Sequence, residues 1–259
     1  MSAFSLTITA LSDVPMIRPG DDLARAALEA MAASGLTFAD GDVLVLAQKI
    51  VSKAEGRQVA LSSVVPGRRA LELAEQTGKD ARLVELILSE AQDVVRTRPN
   101  LIVVRHRLGI VLANAGIDQS NVGAGEGYGE GAQALLLPLD PDASAARLRD
   151  AIRTATGRQV AVLVIDSLGR AWRMGTTGTA IGVAGMPALL DLRGRADLNG
   201  RPLESSEVGL ADEVAAAASL AMGQADEGRP MVLVRGLHAM GEPGQCADLI
   251  RPLAMDLFQ

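Results

Sequence analysis

The chain has 259 residues, 48% of them apolar, and its 25 lysines and arginines against 31 aspartates and glutamates give a net charge of −6. The length is sufficient for a sizeable core in one domain or in two intimately associated subdomains. The acidic balance and the scarcity of aromatic residues argue against nucleic-acid binding. A single cysteine excludes an intramolecular disulfide, and no segment resembles a signal peptide or a membrane span, so we expect a cytoplasmic protein without membrane contact.

The first half of the chain alternates between strand and helix patterns. Alternating apolar residues predict a half-buried strand over 5–11, and the continuous apolar run 42–48 predicts a buried one. The segment between them predicts a helix with Asp21 as N-cap and Gly35 at its C-terminal cap. The remaining predicted elements are two helices within 66–95, the first ending near Gly78, and a hairpin of strands 101–105 and 109–113.

The second half begins with the glycine-rich segment 123–133, which its composition predicts to be a loop. A capped helix follows over 140–157, and "QVAVLVID" (159–166) is the strongest strand pattern in the sequence. A helix over 206–223 and a strand over 231–236 complete the series. No internal repeat or linker marks a domain boundary.

Polar side chains follow two of the apolar strands. Asp118 comes after the strand 109–113, and Asp166 with Ser167 comes at the end of the strand 159–165. Carboxylate and hydroxyl oxygens are hard ligands that suit Mg²⁺ or Mn²⁺, whose coordination is completed by water and substrate phosphates. The alternative is structural, because Asp and Ser also cap helices and fix turns after strands.

Two groups of cations lie near these positions. Lys49 and Lys53 would share one face of a helix, where a lysine after a buried strand can meet a phosphate, although such lysines are more often solvated surface. Arg170 and Arg173 flank the only tryptophan in "DSLGRAWRMGTTG", which could approach an anion or form a loop anchored by Trp172.

Several catalytic motifs do not occur in the sequence. It contains no G-x-x-x-x-G-K-[ST] phosphate loop, no H-E-x-x-H and no paired C-x-x-C. Neither His106 nor His238 is accompanied by a G-x-S-x-G elbow. The residues alone therefore indicate a divalent-metal and phosphate site at strand ends and leave the reaction open.

At these segments the sequence resembles the coenzyme F420-0:L-glutamate ligases, the gamma-glutamyl ligases that complete a deazaflavin coenzyme. The resemblance rests on "PMIRPGDDL", "GDVLVLAQKIVSKAEGR", "ANAGIDQSNV", "LLLPLDPDASAARLR", "VLVIDSLGRAWRMGTTGTAIGVAG", "DLNGRPLE" and "LADEVAAAASLAMGQADEGRPMVLVRG", which occur in family order across nearly the whole chain. Seven stretches in order are far more specific than any one of them.

The resemblance implies a fold and a reaction. The implied fold is α+β, with mixed and largely antiparallel sheets, flanking helices and an intertwined homodimer. The implied enzyme uses GTP to activate the F420-0 carboxyl as an acyl phosphate. It joins this carboxyl to the amine of L-glutamate and then extends the gamma-linked glutamate tail, releasing GDP and phosphate. Mg²⁺ or Mn²⁺ would occupy two sites, and a K⁺ requirement stays open.

The resemblance also implies roles for individual residues. Asp118, Asp166 and Ser167 match metal-binding positions, and Asn121 and Lys53 match nucleotide contacts. Arg173 is added on charge grounds, for a substrate phosphate or the acyl phosphate. Further nucleotide contacts are expected at Val14, Pro15, Met16, Ile17, Gln48, Gly223, Gln224, Ala225 and Asp226.

The chain departs from the family pattern in three places. The segment 123–133 is unusually rich in glycine, which suggests a lid or an influence on the number of glutamates added. Gln48 and Lys49 replace small hydroxyl residues, which puts that nucleotide contact in question. The chain 1–259 corresponds to a single ligase domain without the nitroreductase-like domain of some relatives, so we expect only ligase activity. The alternatives are a homologous ligase for another acid or amino acid and a nucleotide-binding regulator without catalysis.

Overall fold

The computed structural model describes residues 4–119, 131–237 and 241–256. Within these residues the strands are β1 Thr7–Ala10, β2 Val43–Ala47, β3 Gln58–Ala60, β4 Ala91–Arg98, β5 Leu101–His106, β6 Val111–Ala113, β7 Gln133–Leu135, β8 Ala161–Arg170, β9 Arg173–Ala184, β10 Leu190–Asp191, β11 Glu207–Val208 and β12 Met231–Arg235. The α-helices are α1 Leu23–Ala33, α2 Gln48–Ala54, α3 Arg68–Thr77, α4 Ala81–Glu90, α5 Pro141–Thr156 and α6 Leu210–Met222.

The largest sheet has five strands in the order β1-β12-β2-β8-β9. Only β2 and β8 pair in parallel, and the other neighbours are antiparallel. Because β12 is antiparallel to both β1 and β2, the strands β1, β2 and β8 all run in the same direction. Their carboxyl ends therefore lie at one edge of the sheet, and β12 begins at that same edge.

Both faces of this sheet are buried. Along β2, Leu44 and Leu46 pack against α1 and α5 on one face, and Val43 and Val45 pack against α6 on the other. Successive strand residues point to opposite faces, so a strand covered on both sides must be apolar throughout. That requirement explains the uninterrupted apolar run at this position.

Two glycines of β9 allow the helices to pack closely on this sheet. A Cβ at Gly178 would lie 2.5 Å from the carbonyl oxygen of Ala215 in α6. A Cβ at Gly182 would lie 2.5 Å from backbone atoms of Pro141, the first residue of α5. A side chain at either position would push the helix off the sheet.

A second packing unit surrounds the three-stranded antiparallel sheet β4-β5-β6. Ile102 and Val104 of β5 pack on one face of that sheet against the apolar side of α3 and α4, including Leu73 and Ile87. The short pair β3-β7 lies alongside and contributes Ala134 to the same cluster. His106 and Glu90 are buried at the end of β5 and α4, respectively.

Several predicted elements are confirmed. The strands 5–11, 42–48 and 231–236, the helix 140–157 and the hairpin 101–113 are present with shifts of a few residues. The helix α3 ends at Gly78, which has the left-handed φ of 70° expected of a C-terminal cap.

Other boundaries were predicted wrongly. Asp22 rather than Asp21 is the N-cap of α1, since its carboxylate accepts hydrogen bonds from the amides of Ala24 and Arg25. The second helix of 66–95 ends at Glu90, because the residues that follow pair with β5 as strand β4. The helix predicted over 206–223 begins only at Leu210, and residues 207–208 form β11.

The segment after Ile165 also differs from the sequence interpretation. Asp166 and Ser167 lie within β8, which continues to Arg170, and not in a loop after a strand. Asp166 pairs with Thr179 and Ser167 with Gly178 of β9, a strand that was interpreted as a loop. Trp172 at the hairpin turn is 88% exposed, so it does not anchor this segment in a core.

The α+β class with largely antiparallel sheets and flanking helices is confirmed. Of the glycine-rich segment 123–133, the part over 123–130 lies outside the described residues, and Gln133 begins β7. Among the helices that the structure describes, none has the length and apolar character needed to cross a membrane.

Candidate active site

The site lies at the edge of the five-stranded sheet where β1 and β2 end and where β8 extends beyond β2. Gln48 and Lys49 follow β2 directly, and Asp166 and Ser167 belong to the terminal part of β8. Gln224 belongs to the segment between α6 and β12, which returns to this edge. Residues far apart in the chain thus come together because their strands run in the same direction.

A cavity of about 1170 Å³ opens between this edge and the three-stranded sheet. Its first wall is the end of the β8-β9 hairpin, and its second wall is the face of β4-β5-β6 that points away from α3 and α4. The polar and charged lining residues nearest the large sheet are Gln48, Lys49, Asp118, Asp166, Ser167, Arg170, Arg173 and Gln224.

Asp118 reaches this cavity through a short left-handed turn after β6. Asn114, Ala115 and Gly116 all have positive φ, at 50°, 55° and 65°. A Cβ at Gly116 would lie 2.9 Å from Leu112 and 3.0 Å from Leu137, so only glycine fits this position without displacement. Beyond the turn, Asp118 forms an isolated β-bridge with Leu135, in which each backbone amide donates to the other's carbonyl at 3.0 and 2.8 Å. Both the amide and the carbonyl of Asp118 are therefore fixed by Leu135.

Lys49 and Lys53 lie close to Asp118. The Lys49 ammonium is 2.6 Å from the Asp118 carboxylate. Burial and the neighbouring charge of Lys49 lower the pKa of Lys53, and Asp118 opposes that change. The two lysines place positive charge beside the carboxylate of Asp118, and lysine side chains can contact the phosphates of a ligand.

Asp166 carries the clearest electrostatic perturbation of the site. Burial, with a further contribution from the negative charge of Asp118, raises the pKa of Asp166 to about 6, although the Ser167 amide donates a 2.8 Å hydrogen bond to its carboxylate and Lys49 is nearby. The Ser167 hydroxyl in turn donates to the side-chain oxygen of Gln224 at 2.6 Å. Two carboxylates held close enough to interact are an arrangement that a cation stabilises.

The donors of the site fit a hard divalent cation. Asp118 and Asp166 offer carboxylate oxygens and Ser167 a hydroxyl, and Mg²⁺ commonly uses one or two carboxylates completed by water and substrate phosphates. In the described part of the chain, no group of three or more His, Cys, Asp or Glu side chains that could hold a metal ion is found. Two carboxylates and a hydroxyl would leave the remaining positions of an octahedral Mg²⁺ to water and substrate oxygens.

The predicted site residues fall into two groups. Gln48, Asp118, Asp166, Ser167, Arg173 and Gln224 line the cavity. The others are not among its described lining residues: Lys53, Val14, Pro15, Met16, Ile17, Gly223, Ala225 and Asp226. Asn121 lies outside the described residues.

Position along the sheet edge explains part of this division. The segment Val14–Ile17 follows β1, the outer strand on the side away from β9, and there Ile17 is buried in the core while Met16 is 78% exposed. Gly223 ends α6, and the segment after it is folded around the carboxylate of Glu227, which accepts a 2.8 Å hydrogen bond from the Ala225 amide. Both segments belong to the same sheet edge as the acids.

Sequence reasoning missed other lining residues. Lys49 was considered as a phosphate contact, and its ion pair with Asp118 was not foreseen, because the two residues are 69 positions apart. Asp93, Arg105 and Asp256 also line the cavity, and Arg105 lies 3.8 Å from Asp256. The alternation of half-buried Leu101, Val103 and Arg105 along β5 is the sequence signal that could have indicated this wall.

Two carboxylates, a hydroxyl and clustered lysines at such an edge are typical of enzymes that position phosphate groups with a divalent metal ion. A sequence model of the F420-0:Gamma-glutamyl ligase family matches residues 12–236, and the chain belongs to that family. It is therefore a ligase by family, as predicted.

Several relatives described as coenzyme F420:L-glutamate ligases are similar to this chain over most of its length. The chain is 44% identical to the coenzyme F420:L-glutamate ligase of Methanothermobacter thermautotrophicus, with 98% of this chain and 99% of the relative covered. It is 45% identical to the enzyme so named from Methanopyrus kandleri, covering 94% and 93%. For the one from Methanocaldococcus jannaschii the identity is 42%, with 85% of each chain covered.

Proposed function

We propose that this chain joins L-glutamate to coenzyme F420-0 in a GTP-dependent reaction and then extends the gamma-linked glutamate tail. The observation that carries the proposal is the sequence identity of 44%, over 98% of the chain, to a relative named coenzyme F420:L-glutamate ligase. The cavity beside Asp118 and Asp166 supports it, because it combines anion-binding and metal-binding side chains.

The proposed reaction has two balanced steps. A carboxylate oxygen of the acceptor attacks the γ-phosphorus of GTP, the bond from that phosphorus to the β-phosphate oxygen breaks, and GDP leaves. The amine nitrogen of L-glutamate then attacks the acyl carbon, the carbon–oxygen bond to phosphate breaks, and phosphate leaves. The glutamate ammonium first loses one proton to solvent to give the attacking amine, and a second proton passes from the nitrogen to the departing phosphate as the amide forms.

The residues of the cavity have distinct roles in this proposal. Asp118, Asp166 and Ser167 would hold Mg²⁺ or Mn²⁺ in up to two sites, with a K⁺ requirement left to experiment, and the bound metal would neutralise charge on the phosphates. Lys49 orients the Asp118 carboxylate through their 2.6 Å contact. Lys53 contacts the nucleotide, and Arg173 at the start of β9 attracts the acceptor phosphate or the acyl phosphate.

The nucleotide follows the sheet edge in this proposal, with contacts from Val14–Ile17, Gln48, Asn121 and the segment Gly223–Asp226. The chain 1–259 acts as a single ligase domain, and two copies form a homodimer in the cytoplasm. These features come from the family resemblance, and the common strand edge that unites the described segments supports the nucleotide placement.

The test is mass spectrometry of the purified protein after incubation with F420-0, GTP, L-glutamate and Mn²⁺ or Mg²⁺. Product masses that increase in glutamate-sized steps are expected, with equal release of GDP. Replacing GTP by ATP in a parallel reaction tests nucleotide choice. Asp166→Asn should abolish the product, whereas the matched surface variant Asp150→Asn on α5 should not. An unchanged acceptor mass with intact GTP binding would contradict the proposed acceptor.

A further inference from the structure

One face of the sheet β4-β5-β6 is turned toward the cavity. Ile102 and Val104 point to the helices, so their neighbours Leu101 and Val103 point the other way and line the cavity. Strand pairing places Val111 opposite Arg105 and Ala113 opposite Val103, and residues directly opposite each other share a face. An apolar surface thus continues across β5 and β6.

This surface is incompletely covered. Val95 is 47% exposed and Val111 is 44% exposed, and both line the cavity together with the half-buried Leu101 and Val103. We call Val95, Leu101, Val103 and Val111 the apolar wall. From Leu101 to Arg105 a strand extends for about 13 Å at roughly 3.3 Å per residue. The wall is therefore long enough to contact an extended, flat ligand.

The opposite side of the cavity combines small residues with the longer side chains of Leu168, Arg170 and Arg173. Gly169, Ala171 and Thr176 of the β8-β9 hairpin face the cavity there. A wall of branched aliphatic side chains opposed by small ones forms a slot with an apolar side, the usual lining where a heteroaromatic ring binds. Arg170 and Arg173 line the same cavity and supply positive charge around the slot, whereas Arg105 is paired with Asp256 at 3.8 Å.

The strand order separates this slot from the expected nucleotide segment. Val14–Ile17 follow β1, and three strand spacings lie between β1 and β8, which carries Asp166. At roughly 4.8 Å per spacing the separation is about 14 Å, comparable to the length of an extended nucleotide. The β8-β9 hairpin and the apolar wall lie on the other side of Asp166.

We propose that the apolar wall binds the planar deazaflavin ring of the acceptor, so that its reacting carboxyl reaches Asp118 and Asp166. This inference rests on the proposed function. The chain runs from Ala113 at the wall through the left-handed turn to Asp118 at the acids, so one continuous segment connects the ring-binding surface to the reaction centre. The other candidate occupant of the slot is the guanine base, which the nucleotide placement along β1 disfavours.

The experiment uses the full chain and measures binding, not turnover. Fluorescence titration gives the dissociation constants of F420-0 and of a ring-only probe, which keeps the deazaflavin ring and its ribitol chain but lacks the phosphate and lactate groups of F420-0. Calorimetry gives the dissociation constant of GDP in the same buffer. The variants are Val111→Asp and, if that variant fails to fold, Val95→Asp. Val65→Asp is the matched control, because Val65 is 87% exposed and is not among the described cavity residues.

The proposal expects the ring-only probe to bind the unmodified protein and to compete with F420-0. The Val111→Asp change should weaken the binding of the ring-only probe and of F420-0 by about tenfold or more, since it replaces a contact of an apolar side chain by a charge. GDP affinity should change less than about twofold, a difference too small to indicate a lost contact. Val65→Asp should match the unmodified protein for all three ligands.

Other outcomes separate this inference from the proposed function. Weakened GDP binding with unchanged F420-0 binding in Val111→Asp would place the guanine base on the wall and overturn the inference. If the unmodified protein adds glutamate but both wall variants bind F420-0 normally, the inference fails and the proposed function stands. If the ring probe binds in a wall-dependent manner but no glutamate is added, the inference stands and the proposed function fails.

Discussion

Asp166→Asn should stabilise the metal-free protein at alkaline pH. Asp166 has a pKa raised from 3.8 to about 6 by burial and by the nearby charge of Asp118. A shift of about two units corresponds to about 3 kcal/mol that the folded state loses when the carboxyl ionises. Asparagine keeps an oxygen that can accept the Ser167 amide hydrogen bond but carries no charge.

The direction of the pH dependence follows from the raised pKa. Below the unfolded value of 3.8 the carboxyl is neutral in both states, and the variant has no advantage. As the pH rises toward 6 the folded protein loses stability relative to the variant, and above 6 the difference stays constant. The advantage of the variant should be about 3 kcal/mol at pH 8 and roughly half that at pH 5.

Urea unfolding in EDTA at pH 5 and pH 8 measures this difference, with Asp150→Asn as a surface control. Adding Mn²⁺ should then stabilise the unmodified protein more than the variant, because a ligand that binds only the folded state raises its stability. A variant that is less stable than the unmodified protein at pH 8 without metal would refute the interpretation of Asp166 as a buried, unfavourably ionised ligand.

Three further predictions concern Glu90, Gly116 and Lys53. Burial alone would raise the pKa of Glu90, but His106, Arg57 and Arg107 lower it to about 2. The Glu90 carboxylate should therefore contribute about 3 kcal/mol of stability above pH 4.5, and this contribution should be lost as the pH falls toward 2. Urea unfolding at pH 3 and pH 6 should show a clearly smaller pH effect in Glu90→Gln, and an equal effect would contradict this. Gly116→Ala should lower the free energy of unfolding by about 1–3 kcal/mol and weaken metal binding. The control Gly157→Ala, at a position with a positive φ of 73° but no crowding, should lower the free energy of unfolding by about 1 kcal/mol and leave metal binding unchanged. Equal losses of unfolding free energy in the two variants would exclude crowding as the cause. Lys53→Ala should raise the KM for GTP with little change for L-glutamate, and GTP kinetics matching those of Lys79→Ala would remove Lys53 from the site.

The strongest elements were predictable because local pattern and tertiary role agree. The apolar run of β2 is buried on both faces, and the helix α3 ends at a left-handed glycine, so the signal lies within a few residues. By contrast, residues 91–95 of β4 were predicted to be helical, and their strand conformation depends on pairing with β5. The polar end of β8 was missed as a strand for the same reason, since its hydrogen bonds come from the distant partner strand β9.

The candidate site could be predicted in residue type but not in geometry. Asp118 and Asp166 were selected as hard ligands after apolar segments, and both line the cavity. The ion pair of Lys49 with Asp118 and the wall around Val103 arise from contacts between distant segments, which no spacing rule encodes. The resemblance supplied what local chemistry could not, namely which reaction such a cavity serves.

The site spans two packing units, and that arrangement makes their relative position critical. Asp166 belongs to the five-stranded sheet and Lys49 to the helix α2 that directly follows its strand β2, whereas Asp118 follows the sheet β4-β5-β6.

A buried network joins these units away from the cavity. Arg57, just beyond α2, donates to Glu90 at 2.8 Å and to the Leu137 carbonyl at 2.9 Å. Arg107, in the turn after β5, donates to Glu90 at 3.0 Å and to the Pro138 carbonyl at 2.9 Å. One carboxylate with two guanidinium partners thus connects α2, α4 and the segment before α5. Loss of either arginine would remove one of the two guanidinium partners of the buried Glu90 carboxylate and the donor of one backbone carbonyl, so it should loosen the connection between Asp118 and Asp166 as well as the fold.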